Sequence, residues 1–180
     1  MSYAIIRNAK YKRENLKGIF RHNERRNKNY SNKNIDKELS YLNYSIKECK
    51  HTYEKEFDRI RKEYNLEGQI KIVSNIICEY IITSDKTFFD IIGEDETKRY
   101  FETAYKFVCE YKNLGEQYIL SAKVHMDEET PHMHFLTDNQ ILCHVLTVHD
   151  HHHTNDLFLL LRYEMFLLAN SPEQTTQVYS

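Results

Sequence analysis

No run of about 20 consecutive apolar residues occurs in this 180-residue sequence, which argues against a membrane-spanning helix. The N-terminus, Met1-Ser2-Tyr3-Ala4-Ile5-Ile6-Arg7, lacks the long apolar segment of a secretory signal. Cys-x-x-Cys pairs are missing too: Cys49, Cys78, Cys109 and Cys143 lie far apart and read as reduced intracellular thiols. A soluble cytoplasmic protein with no membrane partner is the expectation. At 41% hydrophobic content, the chain can bury one core, so one domain is expected.

Net charge is nearly absent, at −2, but the charges are unevenly placed. Residues 1–35 hold ten Lys/Arg against two acids, Glu14 and Glu24, a balance of +8; the other 145 residues carry 15 basic and 25 acidic groups. A basic segment on an otherwise acidic chain is either a footprint for a polyanion or a solvated charged terminus.

The chain reads as alternating strands and helices. Residues 3–7 suggest a short strand. Residues 14–26 suggest a helix with Leu16, Ile19 and Phe20 inward, and His22 and Arg25 three apart on one face. Residues 25–34 form a polar, basic loop without apolar periodicity. Residues 36–46 are compatible with a helical turn or with a strand ending in Tyr44-Ser45-Ile46. Tyr53, Phe57, Ile60 and Tyr64 make an amphipathic stripe. Residues 77–83 predict a strand, Ser84-Asp85 a cap for a short helix bearing Phe88 and Phe89, and 95–112 another helix. In that last helix Tyr100, Phe101, Ala104, Phe107, Val108 and Tyr111 face inward. The expected architecture is α+β: an antiparallel sheet of four or five strands with helices mainly on one face.

The densest chemistry lies in His125-Met126-Asp127-Glu128-Glu129-Thr130-Pro131-His132-Met133-His134. Residues 118–124 are rich in β-formers and read as a strand. Period-2 spacing places His132 and His134 on one face of a second strand, and a polar hairpin ending in Thr-Pro brings His125 beside them. Three imidazoles converging from paired strands make a metal site with open coordination positions, suited to Lewis-acid chemistry. Asp127 and Glu129 read as hairpin-solvating residues.

This motif resembles that of the HUH endonucleases, in the version carried by Pre/Mob (MobV-type) plasmid mobilisation relaxases. Further matches follow in family order: His22-Asn23-Glu24-Arg25, Ser31-Asn32, Leu42-Asn43-Tyr44, Tyr80 to Asp85, and Phe101-Glu102-Thr103-Ala104. The resemblance covers residues 1–135, read as a relaxase-like catalytic domain. It implies a DNA strand transferase that nicks plasmid DNA at an origin of transfer, single-stranded or hairpin, for mobilisation or recombination. It implies a divalent metal, Mn or Mg, on His125, His132 and His134, with Glu128 supporting the metal shell. His22 becomes the nucleophile and Arg25 a phosphate clamp, with Tyr44 as runner-up nucleophile; a neutral imidazole is competent near pH 7. Arg21, Arg25, Arg26, Lys28, Lys33, Asn43 and Tyr44 are the expected DNA-binding residues.

Residues 136–180 differ: one basic residue, Arg162, five of the ten histidines and an apolar run from Leu157 to Ala169. They read as a non-family tail after a truncation or frameshift, with the tract His149, His151, His152, His153 an adventitious metal binder at most. A strand at 145–148 and a helix at 155–169 are compatible with that tail. On this reading the sheet beyond Phe135 is incomplete, metal binding is weakened and nicking is impaired. Two other functions fit the residues: a non-catalytic DNA-binding remnant, and an unrelated three-His metal hydrolase or oxygenase.

Overall fold

The computed structural model describes residues 4–66, 69–110 and 114–139. Among the described residues, five strands form one antiparallel sheet: β1 (Ile5–Lys12), β2 (Tyr44–Lys47), β3 (Asn75–Thr83), β4 (Ile119–His125) and β5 (His132–Asp138), in the order β1-β3-β5-β4-β2. The strand carrying His132 and His134 is therefore central. It is paired along its length with β3 on one side and β4 on the other. The expectation that this strand lacks onward neighbours is corrected by the topology, since both of its partners precede it in the chain. Its pairing also continues past Phe135 to Asp138, whose carboxylate accepts from Arg61 at 3.2 Å. The expected domain boundary at residue 135 thus falls inside a strand.

Alternation sorts the sheet into two faces. On one face, Tyr80 and Ile82 of β3, Met133 and Phe135 of β5, and Ala122 and Val124 of β4 meet a helical segment, α3 (Lys86–Glu110). Asp85 caps it by accepting from the Phe88 N–H at 2.9 Å. Gly93 breaks the segment with φ 78°, so the two expected helices are present, joined at a kink. Phe88, Phe89, Tyr100, Phe101, Ala104 and Val108 form its buried stripe, while Tyr111 lies outside the described residues. Each fully buried large apolar side chain of this kind contributes about 1.5–3 kcal/mol.

On the other face, Ile77, Leu120 and Leu136 are covered by α1 (Leu16–Asn23) and α2 (Tyr53–Glu63) through Leu16, Phe20, Tyr53, Phe57 and Ile60. The expectation of helices mainly on one face is corrected: the sheet is apolar on both faces, and each face is covered. Tyr64 sits just beyond α2 and is exposed against the edge of Tyr118, not inward as its spacing suggested. The apolar cover stops short of the end of this face, where the histidines lie. The expected elements and the His tract within residues 140–180 lie outside the described residues.

Candidate metal centre

Cross-strand register builds the site. His125 of β4 pairs directly with His132 of β5, and His134 pairs with Lys123 on one side and Ile81 on the other. Residues paired this way share a face, so all three imidazoles project from the side covered by α1 and α2. Ring centroids are 5.2 Å apart for His125–His132, 4.7 Å for His125–His134 and 5.1 Å for His132–His134. The period-2 expectation holds in the structure.

Each ring has one nitrogen engaged and one left over. Nε2 of His125 lies 2.8 Å from the Asn23 carbonyl, Nδ1 of His132 3.0 Å from the Thr130 carbonyl, and Nδ1 of His134 2.8 Å from the Glu79 carboxylate. These partners can only accept, so those nitrogens carry the protons and the opposite nitrogens present lone pairs. Nδ1 of His125 and Nε2 of His134 are buried and have no hydrogen-bond partner among the described residues. Buried polar atoms are normally satisfied, and this tautomer arrangement is the one that outer partners impose on metal-ligating histidines. The donor set fits a divalent cation. Two sets of donor atoms lie within 4.8 Å of one another: His22, His125 and His134, and His125, Glu128 and His132. Glu128 thus lies beside the donor atoms of His125 and His132.

His22 arrives from the C-terminal end of α1. That helix ends in a Schellman arrangement: the Arg26 N–H bonds the Arg21 carbonyl at 2.8 Å and the Arg25 N–H bonds the His22 carbonyl at 3.1 Å. Arg25 occupies the left-handed position, φ 51°, that glycine normally takes, at a cost of about 1–2 kcal/mol. Its side chain explains how this is tolerated. The guanidinium donates to Asp127 at 2.8 and 2.7 Å and to Glu128 at 2.6 Å. The result fixes the His22 ring 5.8 Å from His134 and 6.1 Å from His125, with Tyr30 against its edge at 5.9 Å. Burial lowers the His22 pKa, with the neighbouring His134 and Arg25 adding to the effect. Burial likewise lowers those of His125 and His132, again with His134 contributing. These three rings are neutral at pH 7, the state that both ligation and nucleophilic attack require.

Several expected roles change. Arg25 is a buried ion-pair partner of two carboxylates in place of a phosphate clamp. Asp127, expected to solvate the hairpin, is buried. Although burial alone would raise its pKa, hydrogen bonds from Arg25 and Ser40 hold it below the usual carboxylate range. The Oδ1 of Asn43 accepts from the backbone N–H groups of Met126 and Asp127 at 2.6 and 3.2 Å, clamping the hairpin. Tyr44 pairs with Val124, which belongs to the α3 face, so its phenol lies across the sheet from the histidines. Burial pushes its pKa far up. Both observations remove it as a nucleophile at this centre. Arg21, Arg26, Lys28 and Lys33 are not buried, as a DNA-binding role needs.

Glu79 and Asn23 were not anticipated as site residues. Glu79 is buried and accepts from both His134 and the Asn23 side chain, the latter at 3.1 Å. One signal was present in the sequence: a carboxylate in the middle of the apolar strand Ile77-Cys78-Glu79-Tyr80-Ile81-Ile82 must have a partner.

The pattern of the family described as plasmid recombination enzyme (Mob_Pre) matches residues 1–161. Plasmid recombination enzymes from Streptococcus agalactiae and Lactiplantibacillus plantarum are 42% and 39% identical to the chain over 74% of its length. A type 1 plasmid recombination enzyme of Staphylococcus aureus is 40% identical over 75%. The chain spans only 27%, 37% and 34% of these three relatives, respectively. Among solved structures it is similar to the Mn-bound MobM relaxase domain (MOBV; Mob_Pre) in complex with plasmid oriT DNA. One such structure has TM-score 0.68 and 40% identity over 75% of this chain and 69% of that one. A second has TM-score 0.66 and 36% identity over 79% and 81%. An ordered sheet, a three-histidine centre and sequence identity across most of the chain agree: this protein belongs to the Mob_Pre family of plasmid recombination enzymes.

Proposed function

We propose that this chain carries the nicking centre of a metal-dependent DNA relaxase acting on plasmid DNA at an origin of transfer, in the cytoplasm. The observation that carries this reading is the contrast between His22 and the three strand histidines. Each strand imidazole is anchored through its outer nitrogen, whereas no hydrogen bond holds the His22 ring among the described residues, where it lies against the rings of Tyr30, His125 and His134. Three fixed ligands beside one unanchored, neutral imidazole make a metal-plus-nucleophile arrangement. His125, His132 and His134, with Glu128, would hold Mn or Mg, which when bound polarises the scissile phosphate.

In the reaction, a lone pair on a His22 ring nitrogen attacks the phosphorus. The P–O3′ bond breaks, the 3′-oxygen leaves as a hydroxyl by taking, through solvent, the proton that the other His22 ring nitrogen gives up, and the 5′-phosphoryl end stays on His22 through a P–N bond. Transfer of that phosphoryl group to another 3′-hydroxyl reverses the steps. The cations Arg21, Arg26, Lys28 and Lys33 are suited to guiding the DNA backbone. The loop they lead into returns to the site, where the Asn32 side chain donates to Glu128 at 2.7 Å. The domain assigned to this chemistry is the expected 1–135 unit extended through the end of β5.

The test incubates the purified chain with Mn²⁺ and supercoiled plasmid bearing a family origin. Relaxation with a protease-sensitive 5′ adduct, lost in His22→Ala and kept in Tyr44→Phe, is the expected result. Salt-sensitive DNA binding without any nick would instead assign the chain as a binding remnant.

A further inference from the structure

We infer that Arg7 makes a second anchor for the DNA backbone, holding a phosphate next to the scissile one in a groove that leads from the edge strand β1 to His132. The inference rests on the relaxase reading above and names a subsite of it. The register places the residue: Arg7 pairs with Ile81, and Ile81 with His134, so Arg7 shares the face of the histidines two strands away. A concavity of about 390 Å³ lies along this path, lined by Arg7, Asn34, Thr83, Ser84 and His132, together with Glu128, Glu129 and Thr130 of the hairpin. One wall is thus the edge strand and the other is the loop that carries Glu128. Its inner end is an expected metal ligand.

The charges in this groove are unequal in kind. Glu128 is already bound to Arg25 at 2.6 Å, and no hydrogen bond or ion pair engages Arg7 among the described residues. Arg7 is therefore an exposed guanidinium beside a site whose substrate is a polyanion, and guanidinium matches phosphate with paired donors. Glu129 is exposed in the same lining and opposes a phosphate. The groove thus makes two predictions of opposite sign. A charged residue on an edge strand also serves simply to deter edge-to-edge pairing. Lys10 separates the two roles. It lies on the same strand but pairs with Cys78, on the α3 face, so it offers the same charge to the wrong side.

The experiment measures binding of a fluorescent single-stranded origin oligonucleotide to the full chain with Mn²⁺, as a function of salt. Arg7→Ala should weaken binding about 3- to 10-fold and make the slope of log affinity against log salt shallower by about 0.7, the value for one single-strand phosphate that is no longer neutralised. Glu129→Gln should tighten binding, and Lys10→Ala should leave it unchanged. A scan with single neutral methylphosphonates should find one position, adjacent to the nick, whose penalty disappears in Arg7→Ala. If Arg7→Ala matches Lys10→Ala, or no phosphate couples to Arg7, the groove is not a DNA subsite, while wild-type binding and nicking leave the relaxase reading standing. Failure of the wild-type chain to bind the oligonucleotide overturns both.

Discussion

Arg25 and Asp127, 102 residues apart in sequence, face each other through two hydrogen bonds, at 2.8 and 2.7 Å, with side chains 8% and 0% exposed. This pair joins the end of α1 to the metal hairpin. It ties the residue three positions after His22 to the residue two positions after His125, and the backbone N–H of Asp36 adds a third segment by bonding the Asp127 carbonyl at 2.8 Å. The helix end that carries His22 and the hairpin that follows His125 are thereby joined by one ion pair.

Removing one partner of such a buried pair leaves an uncompensated charge, at a cost of about 3–5 kcal/mol. Arg25→Ala and Asp127→Ala are expected to lose stability on that scale, with the double variant less destabilised than the sum. Urea denaturation of the four proteins measures the coupling. Additive losses would show that the two side chains act separately.

Tyr44→Phe should behave oppositely. The buried Tyr44 hydroxyl has no hydrogen-bond partner among the described residues, and an unsatisfied buried group costs about 1–3 kcal/mol. Its removal is expected to leave stability equal or higher and nicking unchanged. A nicking defect with normal folding would place Tyr44 in the reaction after all.

Glu79 fixes the tautomer of His134, and outer partners of this kind typically change metal affinity about 10- to 100-fold. Glu79→Gln should raise the Mn²⁺ concentration needed for half-maximal nicking by about that factor, with activity returning at saturating metal. In parallel, Mn²⁺ at about 100 times its Kd should stabilise the wild type by about 2.7 kcal/mol, and EDTA should remove this gain. His134→Ala should show no such gain by calorimetry.

Acid sensitivity of the metal-free protein follows from the buried rings. The folded pKa of His125 is lowered by burial, with the neighbouring His134 and Arg25 adding to that effect, while the unfolded ring titrates near 6.5. Below about pH 6.5 the unfolded chain binds the extra proton, so stability falls as pH drops, by about 2 kcal/mol per such ring between pH 6.5 and 5. Asp127 and Glu79 shift in the same direction but act in a lower window: their pKa values are lowered, so their stabilisation is complete above about pH 4.3 and is lost only below it. Denaturation midpoints in EDTA between about pH 7.5 and 5 should therefore report the imidazoles, and His125→Gln should flatten the dependence.

Charge reversal at the cations Arg21, Arg26, Lys28 and Lys33 should weaken DNA binding and reduce its salt slope by about 0.7 for each phosphate left without its cation. Folding should be unaffected, because these side chains carry no buried ion pair among the described residues. An unchanged slope would move the electrostatic footprint to another surface.

Local patterns determined much of this protein from the sequence alone. Period-2 spacing placed His132 and His134 on one face, the apolar stripes of α2 and α3 marked their inward sides, and Asp85 announced the helix it caps. These signals depend on neighbours within a few residues, where geometry is set by the backbone repeat. Tertiary structure decided what pairs across the sheet, including the central position of β5 and the opposite face taken by Tyr44. The Glu79–His134 bond and the Arg25–Asp127 ion pair join residues 55 and 102 positions apart. Strand order and register select those partners, and each face's alternation is compatible with many registers until the strands are paired. The sequence by itself thus brought the three histidines together, while the fold chose which side chains orient them.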